Sequence, residues 1–276
     1  MKALVIWCLL AGACLAQQPL VLVTAGKMKN DPHYGLTADP VAKYLTEGLG
    51  RPVKVEGSEG YEDVLARLAK GDVDLAILPP IVNLQATDRK LSRPLAYGVY
   101  ISGGWTYRAY VLARKGDGPQ SLEELKGKKV GFVEKTSASG YVYPKCLLAD
   151  HGLKPEDVTE VFTGGHIDSL KTLDDKKVDA AAVYELAFAG GIPQKLADYR
   201  VLGTTDPIPA EMIVATPRLS QADGEKVQDL LYAFHARRLQ KPEWKEGRYI
   251  GFIPPDPFVL VGVRKAWERV SGAEAH

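Results

Sequence analysis

Short apolar runs alternate with stretches of helical spacing from residue 20 to residue 78, and this alternation narrows the possible folds more than any other feature. Residues 20–25 form a nearly continuous apolar strand, followed by a polar loop, 26–35, that carries Lys27, Lys29 and His33. Residues 37–50 then predict a helix, opened by Asp39 and Pro40, with Val41, Tyr44, Leu45 and Leu49 on its apolar face and Gly48 and Gly50 closing it. Residues 52–56 read as a second strand. Tyr61, Val64, Leu65 and Leu68 make the buried stripe of a helix ending at Gly71, and residues 73–78 read as a third strand stopped by Pro79 and Pro80. This βαβαβ order predicts an α/β fold in which mostly parallel sheets are flanked by helices and ligands bind at the carboxyl ends of the strands.

A second series follows. A strand around residues 107–114 meets a break at Gly116-Asp117-Gly118-Pro119, and Ser121 to Glu124 has the spacing of a capping box on a short helix ending at Gly127. Residues 130–133, 158–162 and 178–184 read as strands, with a Gly164-Gly165-His166 turn leading into a helix whose apolar face is Ile167, Leu170 and Leu173. Asp206-Pro207-Ile208-Pro209 breaks the pattern again, before a returning strand at 212–216 and a long helix marked by Val227, Leu230, Leu231 and Phe234. A chain of 276 residues exceeds the usual size of one domain. The expected partition is an outer, discontinuous domain of residues 17–114 and 206–276 with residues 115–205 inserted. Two crossings between them would act as a hinge around a small ligand.

The second series contains the stretch with the most chemistry. A strand at 130–133 runs into a helix whose apolar residues fall at Val142, Cys146, Ala149 and Leu153, with Pro144 in its first turn and Gly152 at its end. Between them lie Thr136, Ser137, Ala138, Ser139 and Gly140, where the first N–H groups of the helix lack intrahelical partners. One reading is an ordinary N-cap, with Ser137 or Ser139 accepting from an N–H further along, worth ~1 kcal/mol. The other is an oxyanion seat, since free N–H groups, the positive helix end and hydroxyl donors converge where no bulky side chain intrudes.

Lys and Arg number 35 against 34 Asp and Glu, a formal charge of +1, which argues against a nucleic-acid surface. The N-terminus has Lys2 ahead of an apolar run from Ala3 to Ala16, too short for a spanning helix, and reads as a secretory signal of residues 1–16. Ala11-Gly12-Ala13-Cys14 also resembles a lipoprotein box, a second reading in which Cys14 carries a lipid anchor. Cys8 belongs to the signal, which leaves Cys146 as an ordinary thiol and no intramolecular disulfide to expect.

The chain resembles the phosphate/phosphite/phosphonate-binding proteins of bacterial ABC importers. The similarity is carried by GYEDVLARLAKGDVDLAIL at 60–78, TYRAYVLARKGD at 106–117, SLEELKGKKVGFVEKTSASGYVYP at 121–144, FTGGHIDSL at 162–170 and VDAAAV at 178–183. The resemblance implies the type II periplasmic binding protein fold, with an oxyanion held in a cleft between two domains. It favours the seat reading of the turn. A Ser-Thr-Ser-Gly anion seat is matched by Ser137, Ala138, Ser139 and Gly140, with Ala138 removing one hydroxyl. Tyr61 and Tyr107 match tyrosines that reach the ligand from the outer domain, although Tyr61 at its helical spacing reads equally well as core. His166 matches the family's Gly-His turn, with a second helix cap as its plain alternative. Tyr184 and Glu185 occupy a zone where an acidic or polar contact is often found. Glu185 would there meet an ammonium, unless it is simply a solvated carboxylate after a strand. Pro79 stands where the family often has glycine.

The implied partners are a small oxyanion and an ABC permease in the periplasm or another extracytoplasmic space, with no cofactor, metal or catalytic residue. A phosphate-like dianion that loses its water can be held by neutral N–H and hydroxyl donors. Two other functions stay open at this point. One is a ligand-sensing receptor for a membrane signalling partner. The other is a secreted hydrolase with Ser137 or Ser139 as nucleophile and His166 as base, although no Gly-x-Ser-x-Gly, His-Glu-x-x-His or Cys-x-x-Cys pattern is present.

Overall fold

The computed structural model describes residues 18–27, 32–102, 104–188, 194–235 and 248–273. The expected signal segment and Cys14 lie outside them. In the first lobe, β1 (Leu20–Lys27), α1 (Pro32–Leu49), β2 (Val53–Ser58), α2 (Tyr61–Lys70) and β3 (Leu75–Leu78) follow the expected βαβαβ order. α3 (Pro80–Asp88) and β4 (Arg93–Tyr100) come next. The chain then crosses through β5 (Thr106–Tyr107) into β6 (Ala109–Arg114), β7 (Lys128–Phe132), α4 (Tyr143–Asp150), β8 (Val158–Phe162), α5 (His166–Asp174), β9 (Ala180–Tyr184) and β10 (Tyr199–Thr204). It returns through β11 (Ile208–Pro209) to β12 (Met212–Ala215), α6 (Gln221–Ala233), β13 (Tyr249–Ile253) and α7 (Pro257–Ala273).

One sheet has the order β13-β4-β12-β3-β1-β2 and the other β10-β6-β9-β7-β8, while β5 and β11 pair with each other between them. The α/β class stands, but both sheets are mixed. β1 runs parallel to β2 and β3, and β7 parallel to β8 and β9, as βα crossovers require. Strands that leave or re-enter a lobe arrive from the opposite end: β12 is antiparallel to β3 and β4, and β6 to β9 and β10.

Four expectations shift. The crossing lies at β5 rather than at residue 115, because β6 pairs with β9 and β10 and so belongs to the second sheet. The glycine-rich break at 116–119 is only the turn that follows it. α1 begins at Pro32, in the first turn where a missing N–H costs nothing, and Pro40 falls inside it. Pro79 and Pro80 do not merely stop β3; they are the N-cap and first residue of α3. The capping box expected at Ser121 is instead a single 3-10 turn, Glu123–Leu125, with the Glu124 carboxylate accepting the Gln120 N–H.

α2 shows how the sequence dictates the packing. Tyr61, Val64, Leu65 and Leu68 are all buried, each contributing about 1.5–3 kcal/mol by leaving water, and Gly71 ends the helix at φ 76°. Among the described residues no helix is long and apolar enough to cross a membrane, and no group of three His, Cys, Asp or Glu could hold a metal.

Candidate ligand-binding cleft

After β7 the chain turns through residues 133–137 into a single π-helical turn, Ala138–Val142, before α4 begins. Such turns place backbone groups outside the regular ladder, which suits a binding loop. Two serines divide the work. Ser137 is the cap: its Oγ accepts the Gly140 N–H at 3.0 Å, and its carbonyl accepts from Tyr141 and Val142 at 3.1 and 3.0 Å. The N–H groups of Ala138 and Ser139 have no protein acceptor among the described residues.

Ser139 takes no part in capping. Its buried hydroxyl lies 3.5 Å from the Tyr107 hydroxyl, which donates to it, and 3.5 Å from His166 Nε2. Gly140 makes this possible, since a Cβ there would sit 2.4 Å from Val133 Cγ2, 2.5 Å from Val133 Cβ and 2.8 Å from Ser137 Oγ. The Ala138 methyl is buried against the core, and Thr136 is half-buried at the mouth of the cleft.

The remaining expected residues reach this point from different elements. Tyr107 sits on the crossing strand β5, where burial, followed by the Glu211 carboxylate, pushes its phenol well above the usual range. It is therefore a neutral donor at any ordinary pH. Tyr61 is buried in the core at the start of α2. Its ring packs with Val64, Leu65 and Leu78, yet its phenol is close enough to raise the Tyr107 pKa further. His166 opens α5 just after the Gly165 N-cap, and its ring packs on Tyr184 with centroids 4.4 Å apart. Tyr184 also meets Tyr107 edge to face at 6.4 Å.

Glu185 is not brought to this cluster. β9 ends at Tyr184, and Glu185 opens the 3-10 turn Glu185–Phe188 that follows it. Its N–H bonds the Arg108 carbonyl at 2.9 Å, and its carboxylate lies near Tyr110 on the other face of the sheet, adding to the effect of burial in raising that phenol's pKa.

A cavity of about 650 Å³ opens beside the turn, lined by residues of both lobes: Glu59, Gly60 and Asp63 on one side, Glu134, Thr136 and Gly164 on the other. One contact bridges it. The Tyr61 N–H, at the start of α2, donates to the Glu134 carboxylate at 3.3 Å. A carboxylate is favoured there by the helix dipole.

Four residues packed beside this cluster escaped the sequence reading: Tyr100, Glu211, Arg248 and Tyr249. Tyr100 and Tyr249 stack at 5.8 Å, and both donate to Glu211 Oε2. Tyr100 meets Tyr107 edge to face at 5.9 Å, which ties this group to the seat. Nothing local marks them, since Glu211 precedes an ordinary strand and Arg248 sits in a segment with no periodic pattern.

Residues 30–258 match the family described as ABC transporter, phosphonate, periplasmic substrate-binding protein. This chain belongs to that family. Among curated relatives, the phosphate-import protein PhnD of Mycolicibacterium smegmatis is 27% identical over 176 residues, 60% of this chain and 55% of that protein. The chain thus spans little more than half of that relative's length. The phosphonates-binding periplasmic protein of Escherichia coli is 22% identical over 236 residues, 82% of this chain and 69% of that protein. The fold of this chain recurs in a binding protein component of a Pseudomonas aeruginosa ABC phosphonate transporter. It has a TM-score of 0.81 at 20% identity, covering 94% of this chain and 88% of that one. PhnD1 from Prochlorococcus marinus, solved in complex with methylphosphonate, has a TM-score of 0.76 at 15% identity, covering 92% of this chain and 98% of that one. These neighbours are type II periplasmic binding proteins, and the present fold is of that type.

Proposed function

We propose that this protein captures a phosphorus oxyanion, phosphate, phosphite or phosphonate, outside the cytoplasm and presents it to the permease of an ABC importer. The observation that carries this reading is the Ser139 hydroxyl, left over from capping and aimed at Tyr107 and His166 beside two N–H groups without acceptors among the described residues. Neutral donors suit a dianion that must be both held and released, because they replace its water shell without a fixed counter-charge. The N-terminal apolar run is read as the export signal, with Cys14 as a point of lipid attachment if the signal is cut ahead of it. A ligand at about 100 times its dissociation constant should stabilise the fold by ~2.7 kcal/mol. A thermal-shift panel of phosphate, phosphite and methylphosphonate that moves no melting temperature would remove this reading.

The two lobes joined by β5 and β11 are proposed to close around that ligand. Small-angle scattering should show a smaller radius of gyration at saturation. An unchanged radius, with binding demonstrated in the same sample, would mean that the lobes do not move. The hydrolase reading draws on the Ser139–His166 approach, 3.5 Å. Prolonged incubation with p-nitrophenyl phosphate is expected to release no nitrophenol, and release that depends on Ser139 would favour the enzyme.

A further inference from the structure

The contact across the mouth of the cleft joins two features that neither lobe completes alone. On the first lobe, α2 opens at Gly60, which has no side chain to cap it, so the leading N–H groups of the helix depend on an acceptor from elsewhere. Asp63, in the first turn, points back instead, its carboxylate accepting the Glu59 N–H at 3.1 Å. On the second lobe, the half-buried Glu134 stands on the turn between β7 and the seat, and its carboxylate accepts the Tyr61 N–H at 3.3 Å. A helix start in one lobe is thus capped by a side chain from the other.

Two further observations fit this contact to its place and tie it to the seat. A Cβ on Gly60 would lie 3.2 and 3.3 Å from the two Glu134 carboxylate oxygens, so the missing side chain is what lets the carboxylate approach. Backbone strain does not call for glycine here, because φ is 171°, an extended value that any residue adopts. The Glu134 carbonyl, meanwhile, accepts the Ser137 N–H at 2.9 Å, and the Val133 N–H donates to the Gly140 carbonyl at 3.1 Å. Bridge and seat are therefore carried by one turn, and what draws Glu134 onto α2 also draws the seat toward the first lobe. Glu59, Glu62 and Asp63 line the same cavity as Glu134, and repulsion among these carboxylates keeps the bridge weak enough to part.

We propose that Glu134 is a positioning residue for ligand capture: by capping α2 from the opposite lobe, it latches the two lobes together over the seat. It acts through α2 and not through the anion, which a carboxylate in direct contact would repel. The inference deepens the reading of residues 137–140 as an oxyanion seat, and it rests on that reading for the ligand-binding arm of its test.

A double-mutant cycle tests it, read by titration calorimetry with phosphate and methylphosphonate and by small-angle scattering. Glu134→Ala should weaken binding about fivefold, the equivalent of one ordinary hydrogen bond, and Glu134→Gln, which keeps an acceptor oxygen, should restore part of the loss. Gly60→Ser gives α2 a cap of its own and crowds Glu134 away, so it should leave the melting temperature level or higher while weakening binding to a similar extent. Combining Gly60→Ser with Glu134→Ala should then weaken binding no more than either change alone. Losses that multiply in the double variant, or full affinity in Glu134→Ala or Gly60→Ser, would overturn the proposal. If Glu134→Ala fails to fold, Gly60→Ser on the opposite lobe decides the matter by the same two readouts. Without ligand, the wild type should have a smaller radius of gyration than either single variant, and equal radii would overturn the latch as well. If the wild type binds neither anion, it is the seat that has failed, and the ligand-free radii still decide for or against the latch.

Discussion

Replacing Ser139 with aspartate is expected to abolish binding of phosphate and methylphosphonate while leaving the fold intact. The Ser139 hydroxyl lies 3.5 Å from both Tyr107 and His166, and a carboxylate there would occupy the anion's place and repel what remained. Ser139→Ala removes only one donor, and should weaken binding by roughly 1.5–3 kcal/mol, about ten- to a hundredfold. Stability should hardly respond to Ser139→Ala, because the cap is Ser137, whereas the buried aspartate should lower it as an unpaired charge. Ser137→Ala is the reverse case, costing ~1 kcal/mol of stability through the lost cap. Calorimetric titration and thermal melting of the three variants separate the roles. A Ser139→Asp protein that binds normally would mean that the turn holds no oxyanion.

Gly140→Ala should be the most damaging of the single methyl additions at the cleft. The new Cβ would fall 2.4 and 2.5 Å from Val133 Cγ2 and Cβ, and the second of these is fixed to the backbone and has nowhere to swing. Overpacking of this kind costs typically 1–3 kcal/mol or more, and each kcal/mol lowers the melting temperature of a chain this size by about 2–4 °C. Relief would have to come from the turn moving away from Val133, which breaks the Ser137–Gly140 hydrogen bond and re-aims the Ala138 and Ser139 N–H groups. Both stability and affinity should therefore fall together. A variant with an unchanged melting temperature and intact binding would show that the turn is looser than these distances imply. Gly71 offers a contrast, since nothing lies within 4 Å of its Cβ position and its need for glycine comes from φ 76° alone.

The order of elements was legible because it depends on local chemistry. Period-2 and period-3.6 apolar patterns, Gly71 and Gly152 as left-handed stops, and Pro144 in a first turn each act within a few residues. Where two local signals overlapped, the reading slipped. Pro79-Pro80 served equally well as a strand stop and as a helix start, and the burial of α3 against the sheet decided for the helix. The glycines at 116–118 marked a turn, but whether the chain also changes lobe there depends on strand pairing, and β6 found its partners in β9 and β10.

The sequence by itself determined the strand–turn–helix at residues 130–150, with its small residues and the N–H groups that a helix start leaves over. It also narrowed the capping role to Ser137 or Ser139. Only the tertiary structure chose between them, because the choice depends on the register of the π-helical turn that Val133 and Gly140 lock together. The fold likewise separated Tyr184 from Glu185, neighbours in sequence of which the first ends β9 and the second opens the 3-10 turn after it. It assembled Tyr100, Glu211, Arg248 and Tyr249 from three separate strands or strand ends. Their chemistry is a property of distances across the sheet, and a linear pattern carries no record of those.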